Sequence, residues 1–398
     1  MRSAGKTRRS RRSTISGSSE LDLAGVPILD QHCHSLLRAG GPFTPTTYAR
    51  FFSESGDREV HERDVPQTVF FRWAIKELAT TLDCAPTTDA VLAAREKASP
   101  EALAARLLRE ANVTTLLVDY GYQTDQTWSH AELTTRLPCR VLPLLRLETF
   151  AQELILRHDT FDATVEAFVA AVEGARAEGY VGLKSIVAYR TGLAVRPTTF
   201  AEAREAYGPV KEQARRDGRV RLAVKPLNDY LLLRALEVAE GHALPIQFHT
   251  GFGDADLDLL GANPLLLRPL LESTAFRHVP FVLLHASYPY VRELGYLAAM
   301  YANVHADVGL AIPHVAADIP VVFRQMLSLT PASKIVYSSD ASQIPELYWL
   351  AARWGRWGLG VVLDELLALG ALSHDEALGT ARQILGGNAA RVYAVPWG

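Results

Sequence analysis

Short apolar runs, each closed by polar or turn-forming residues, recur along the chain with longer periodic segments between them. The runs are Val26–Leu29, Val113–Val118, Arg140–Leu145, Tyr180–Leu183, Leu244–Phe248, Pro280–Leu284, Asn303–Asp307 and Lys334–Tyr337. Several are nearly continuous in Val, Ile and Leu, as strands buried on both faces must be. In the segments between them, apolar residues recur in steps of three and four. Within Thr160–Glu178, Phe161, Val165, Phe168, Val169 and Val172 form one stripe, which predicts a core-facing helix. Tyr230–Glu240 and Pro264–Thr274 read the same way, and Thr198–Arg216 predicts a helix delayed by a loop from Gly192 to Pro197. Eight short strands alternating with helices predict an α/β fold, a (β/α)8 TIM-type barrel.

One connection breaks the rhythm. Between Ser35 and Asn112 no strand pattern occurs, although the stretch carries aromatic patches (Phe51, Phe52, Phe70, Phe71, Trp73) and helical periods such as Pro100–Arg109. A structureless loop of that length is improbable in a compact domain. The expectation is a helical insertion after strand one, at about 35–112, on the face where barrel active sites lie.

Composition narrows the function. The chain has 398 residues, 48% hydrophobic and 21% charged, without an apolar run long enough to span a membrane. A net charge of -3 offers no footprint for nucleic acid, and the balance is uneven. Arg2, Lys6, Arg8, Arg9, Arg11 and Arg12 crowd the start, so the remainder is more acidic than the whole. The segment 1–20 is polar and Ser/Arg-rich, and is expected to be a disordered, solvated leader ahead of a barrel at 21–398. It lacks the apolar stretch of a secretory signal; a nucleic-acid arm is the weaker alternative. Cys33, Cys84 and Cys139 are odd in number with no CxxC, which points to reduced thiols and a cytoplasmic location.

The residues that close the runs carry the chemistry. Strand one leads into Asp30-Gln31-His32-Cys33-His34, where alternation turns His32 and His34 to one side and Cys33 to the other. Both imidazoles can then reach one metal ion. Strand five ends at His249, strand six at His285 and strand eight at Asp340. A hydrogen-bonded structural histidine explains any one of these, but four at strand ends beside an aspartate point to a shared metal. Imidazole and carboxylate donors without thiolate suit Zn or Mn. The other histidines, His61, His130, His158, His242, His278, His305, His314 and His374, lack such a setting and read as structural or surface residues.

In that order on strands one, five, six and eight, His32-x-His34, His249, His285 and Asp340 resemble the amidohydrolase superfamily. Longer stretches resemble one branch, the nodulin/FluG-type amidohydrolases, whose domain often sits beside a glutamine synthetase-like domain. They are Gly182–Leu193, Gln247–Glu272, Phe281–Tyr290, Asp307–Pro313 and Ser338–Ala352, and the likeness covers roughly Val26 to Val395. The chain closes soon after Asn388–Tyr393, so a glutamine synthetase-like ligase is expected as a separate chain.

The resemblance implies a metal-dependent amidohydrolase, a C–N hydrolase holding one or two divalent ions, Zn or Mn, through His32, His34, His249, His285 and Asp340. It implies Asp340 as general base, assisted by His285, acting on a small-molecule amide of the γ-glutamyl-amine type. Lys184 ends strand four, where binuclear members carry a carboxylated lysine bridging two metals. An ammonium pairing with a substrate carboxylate and a rim lysine in solvent stay open beside that. Arg190 suits a carboxylate grip, with Tyr189 beside it. Glu148 suits a substrate ammonium, a further metal ligand or a salt bridge to Arg146. Asp119 and Tyr120 are ambiguous, and Ser53, Glu54 and Arg72 are candidates for a lid. The acidic residues of Gly251–Asp258 are mis-spaced for an EF-hand. Rival readings are a decarboxylase or a uronate isomerase-like enzyme on the same metal scaffold, and a catalytically silent regulatory or interaction protein. A homo-oligomer stays open.

Overall fold

Eight parallel strands form in the order that the apolar runs predict. A computed structural model describes residues 21–397 apart from Gln123, so the expected leader at 1–20 lies outside the described residues. The strands are β1 (Ile28–Cys33), β2 (Val113–Asp119), β3 (Arg140–Arg146), β4 (Gly182–Ser185), β5 (Ile246–Phe248), β6 (Phe281–Leu283), β7 (Val304–Asp307) and β8 (Ile335–Val336). Each pairs in parallel with the next. The ring closes through the chain beyond β8. The Gln31 N–H donates to the Tyr337 carbonyl (3.1 Å), the Asp340 N–H to His32 (3.0 Å) and the His34 N–H to Ala341 (2.8 Å). This is a TIM barrel.

The apolar run of β1 stops at Leu29, yet the strand continues to Cys33. It can do so because the buried side chains of Asp30 and Gln31 are hydrogen-bonded, which removes the penalty that would end a strand. The register between β1 and β2 slips between Asp30 and Cys33. Strict alternation would place Gln31 and His32 on opposite faces. The slip lets both point into the barrel: Gln31 donates to Asp307 of β7 (2.9 Å) and His32 approaches Lys184 of β4 (3.3 Å). Cys33 turns outward and meets the Leu117 carbonyl.

The helices follow their stripes with local corrections. Thr160 caps the helix Phe161–Gly174 by accepting the Ala163 N–H (3.2 Å), and the buried line runs Phe161, Thr164, Phe168, Val172. After β4 the delayed helix is Phe200–Asp217, opened by a Thr199/Glu202 capping box. The Pro264–Thr274 pattern becomes two short turns, Pro264–Leu267 and Arg268–Leu271. Pro269 lacks an N–H and crowds the preceding turn, so one continuous helix cannot form.

Between β1 and β2 lie the helices Pro45–Ala49, Val69–Leu82, Thr88–Arg95 and Pro100–Glu110. Their aromatic residues dock this segment on the long helix Pro345–Ala368. Trp73 stacks on Trp354 with centroids 4.2 Å apart, and Phe70 meets the same indole edge-on at 5.8 Å. Arg95 and Glu346 form a fully buried ion pair at 2.6 Å across the same boundary. Inside the barrel, Leu29, Leu117, Leu144, Val282, Leu284 and Val336 pack around Tyr393. The Tyr393 hydroxyl donates to Gln31 Oε1 (2.6 Å) and accepts from Gln247 Nε2 (2.8 Å), making a polar floor one step below the strand ends. No helix among the described residues is long and apolar enough to cross a membrane.

Candidate metal centre

The side chains that leave the carboxyl ends of β1, β4, β5, β6 and β8 meet at one point above that floor. His32 Nε2 lies 3.0 Å from Asp340 Oδ1, His34 Nε2 lies 3.4 Å from the same oxygen, and His285 Nδ1 lies 3.7 Å from Oδ2. The His249 ring lies tilted against that of His285, with centroids 4.5 Å apart. Lys184 Nζ is 3.3 Å from His32 Nε2. The potential donor atoms of His32, His285 and Asp340 all lie within 4.8 Å of one another, as do those of His32, His34 and Asp119.

The donor chemistry fits a divalent cation. His249 Nε2, both ring nitrogens of His285 and Nδ1 of His32 are buried without a hydrogen-bond partner. Such atoms are rare in a folded interior unless a ligand meets them. Burial, followed by the nearby Lys184, lowers His32 to about 4. Burial first, with neighbouring cationic groups after it, holds His249 and His285 well below the usual imidazole range. Neutral rings carry a lone pair each. His34 Nδ1 donates to the Asp119 carbonyl at 2.9 Å, which orients the ring with Nε2 towards Asp340. Burial would raise the Asp340 carboxyl, but the surrounding imidazoles outweigh it and hold the group well below the carboxylate range.

Around this point lies a cavity of about 350 Å³ whose wall includes Lys184, Tyr189, Glu54 and Asp254. A second cavity of about 300 Å³ adjoins it and shares Glu54, Asp254 and Asp340. Tyr189 covers His249 (centroids 4.4 Å apart), and its hydroxyl accepts the Asp254 N–H (3.1 Å). Burial, then Asp340 and Asp254, push the Glu54 carboxyl up to about 8. His314 Nε2 stands 3.6 Å from Glu54.

Two residues expected to hold substrate are placed otherwise. Glu148 is buried against β4, where its carboxylate accepts the Ser185 hydroxyl (2.6 Å) and the Ile186 N–H (3.0 Å). Its capacity is directed at backbone geometry and not at the cavity. Arg146 grips Asp119 through two nitrogens (2.9 and 2.5 Å). Arg190 follows Tyr189 in the same loop but is not among the described residues lining the cavity. Arg72 bonds the Pro66 carbonyl on the exterior, whereas Ser53 lines the adjoining cavity. Sequence reasoning did not place Asp254 or His314 at the site. Their position just beyond β5 and β7 was the available signal, since that rim collects functional side chains.

Comparison with known proteins agrees with this geometry. Residues 160–395 match the family model described as amidohydrolase. The chain belongs to the amidohydrolase family. It is 32% identical over 406 residues to the protein FluG of Emericella nidulans, covering 92% of this chain and 45% of that one. This amidohydrolase therefore spans less than half the length of that curated relative. A solved structure from Lactobacillus casei, provisionally described as a metal-dependent hydrolase, is 31% identical. It superposes with a TM-score of 0.84 over 93% of this chain and 96% of that one. The uronate isomerase of Thermotoga maritima shares the fold alone, with 13% identity and a TM-score of 0.65 over 93% of this chain and 95% of its own.

Proposed function

We propose that this amidohydrolase uses water to cleave the C–N bond of a small-molecule amide of the γ-glutamyl-amine type. The observation that carries the reading is the convergence of neutral imidazoles on one ionised carboxylate in the wall of a cavity of about 350 Å³. His32, His34, His249 and Asp340 would hold a divalent ion, Zn or Mn. When bound, such an ion lowers the pKa of a water and polarises a carbonyl oxygen. Asp340, kept ionised, accepts the proton of the attacking water and returns it to the departing amine. His285 stands 3.7 Å from Asp340, and its unpartnered ring can direct an N–H at the carbonyl oxygen as charge develops there. Glu54 and Asp254 line the cavity side by side, where they would meet a substrate's ammonium group.

Lys184 bears on the number of ions. It is 2% exposed and adjoins His32, and burial lowers its pKa to about 8. The neutral amine is the form that adds to carbon dioxide, forming an N–C bond and releasing a proton, and the resulting carbamate would bridge two ions. Lys184→Ala would then halve the metal-to-protein ratio measured after reconstitution with metal and bicarbonate. A ratio of one in both proteins would exclude the bridge. The three cysteines are free thiols, which supports a reducing, cytoplasmic setting. A glutamine synthetase-like ligase is the partner chemistry that would make such an amide.

The test is a panel of γ-glutamyl amides turned over in ¹⁸O-water. Label in the released acid is expected. Conversion of a sugar acid or loss of carbon dioxide without label would favour an isomerase or decarboxylase, and no turnover of any amide would remove the hydrolytic reading.

A further inference from the structure

Two carboxylates that this reaction does not use lie buried beneath the site, Asp30 (1% exposed) and Asp307 (0%). Directly above them, the backbone adopts left-handed conformations at residues that are not glycine. His285 has φ 68°, followed by Ala286 (52°) and Ser287 (47°), and Asp340 has φ 52°. An L side chain disfavours this region, so it persists only where surrounding groups impose it. Here each left-handed site residue has a carboxylate beside it. Asp307 Oδ2 accepts the N–H of His285 (2.9 Å) and of Gly309 (2.9 Å), and Oδ1 accepts Gln31 Nε2 (2.9 Å). Gln31 is itself fixed by Tyr393 and Gln247. Asp30 Oδ1 accepts the N–H of Ser339 (3.0 Å) and of His32 (3.3 Å), while Oδ2 accepts a hydrogen bond from the Ser339 hydroxyl. The Ser339 oxygen accepts the Ala341 N–H (3.0 Å), so this chain of bonds straddles Asp340.

We infer that Asp307 and Asp30 are positioning residues that fix the left-handed turns aiming His285 and Asp340 at the metal centre. The inference rests on the metal reading above. Only a carboxylate offers enough lone pairs to satisfy three donors at one buried point, and a residue without an acceptor would orphan the His285 N–H and release its turn. Asparagine keeps one oxygen for the His285 and Gly309 N–H groups but turns its amide nitrogen towards Gln31.

The experiment measures zinc affinity of the full chain by competition with a chromophoric chelator, alongside thermal unfolding of the metal-free protein. Asp30→Asn is expected to unfold at lower temperature yet bind zinc within ~3-fold of the unsubstituted chain, whereas Asp30→Ala, which frees the turn of the ligand Asp340, binds ~10–100-fold more weakly. Asp307→Asn and Asp307→Ala should repeat the contrast through His285 in kcat for the amide found by the ¹⁸O screen, with zinc affinity nearly unchanged. A folded Asp30→Ala with unchanged affinity, or a folded Asp307→Ala with unchanged kcat, would overturn the inference. So would Asp30→Asn weakened more than ~10-fold, which decides the matter even where the alanine variant does not fold. If the unsubstituted chain itself bound no zinc, the metal reading would fall and this one with it.

Discussion

Gly253 faces the two aromatic rings that wall the metal centre, and adding one methyl group there tests their placement. A Cβ at this position would lie 1.9 Å from the Tyr189 hydroxyl oxygen and 2.9 Å from both Cε1 and Nε2 of His249. Gly253 is not in the left-handed region, so Gly253→Ala acts through collision alone. Ordinary contact begins at 3.4 Å. The hydroxyl must therefore retreat by about 1.5 Å and the imidazole by about 0.5 Å, and the cavity that both line gives them room to do so. The first movement breaks the hydrogen bond from the Asp254 N–H, worth about 1 kcal/mol. The second takes a ligand nitrogen to the edge of the ~0.5 Å tolerance of a working site. Metal affinity should fall ~10-fold and turnover of the amide found by the ¹⁸O screen ~10²-fold. Chelator competition and steady-state kinetics give both numbers. Gly379→Ala, in the helix His374–Arg382 with nothing within 4 Å, is the control. It should leave both numbers unchanged and add ~0.4–1 kcal/mol of stability. Unaltered metal affinity and turnover in Gly253→Ala would refute the placement of His249 and Tyr189.

Asp340→Asn should lower kcat far more than KM, since the amide keeps its place but cannot take the proton; an unchanged kcat would move the general base elsewhere. Arg95→Met strands the fully buried Glu346 carboxylate and should cost ~3–5 kcal/mol in urea unfolding. The double variant Arg95→Met/Glu346→Leu should recover most of it, and a single-variant loss below ~1 kcal/mol would contradict the buried pairing. Burial lowers His305 to about 4 from 6.5. Above pH 6.5 it is neutral folded and unfolded. As pH falls from 6.5 to 4 the unfolded chain gains a proton that the folded chain refuses, so stability drops by up to about 3 kcal/mol. His305→Gln should lose less stability between pH 7 and 4.5, and an equal loss would contradict the assignment.

The barrel was legible because strands buried on both faces leave nearly continuous apolar runs, as in Val113–Val118 and Pro280–Leu284. The site residues were legible because each histidine closes such a run. What escaped the sequence shares one cause, polar groups whose partners lie far along the chain. Asp30 and Gln31 look like a strand terminus until Ser339 and Asp307 supply their bonds across more than 270 residues. Glu148 sits where a cavity residue would, yet its oxygens go to Ser185 and Ile186. The helix Pro345–Ala368 is buried on nearly every side and so has no amphipathic stripe to reveal it. Glu54 enters the site from an insertion whose path over the rim depends on aromatic docking against that same helix.

The central claim is that His32, His34, His249 and Asp340 form one metal centre. A crystal structure of the reconstituted full chain, with anomalous data collected on either side of the zinc and manganese absorption edges, tests it most directly. An anomalous peak bounded by these four side chains, with Asp340 and His285 facing its open side, is the predicted result. No peak there, or full occupancy at a site formed by other residues, would contradict the account.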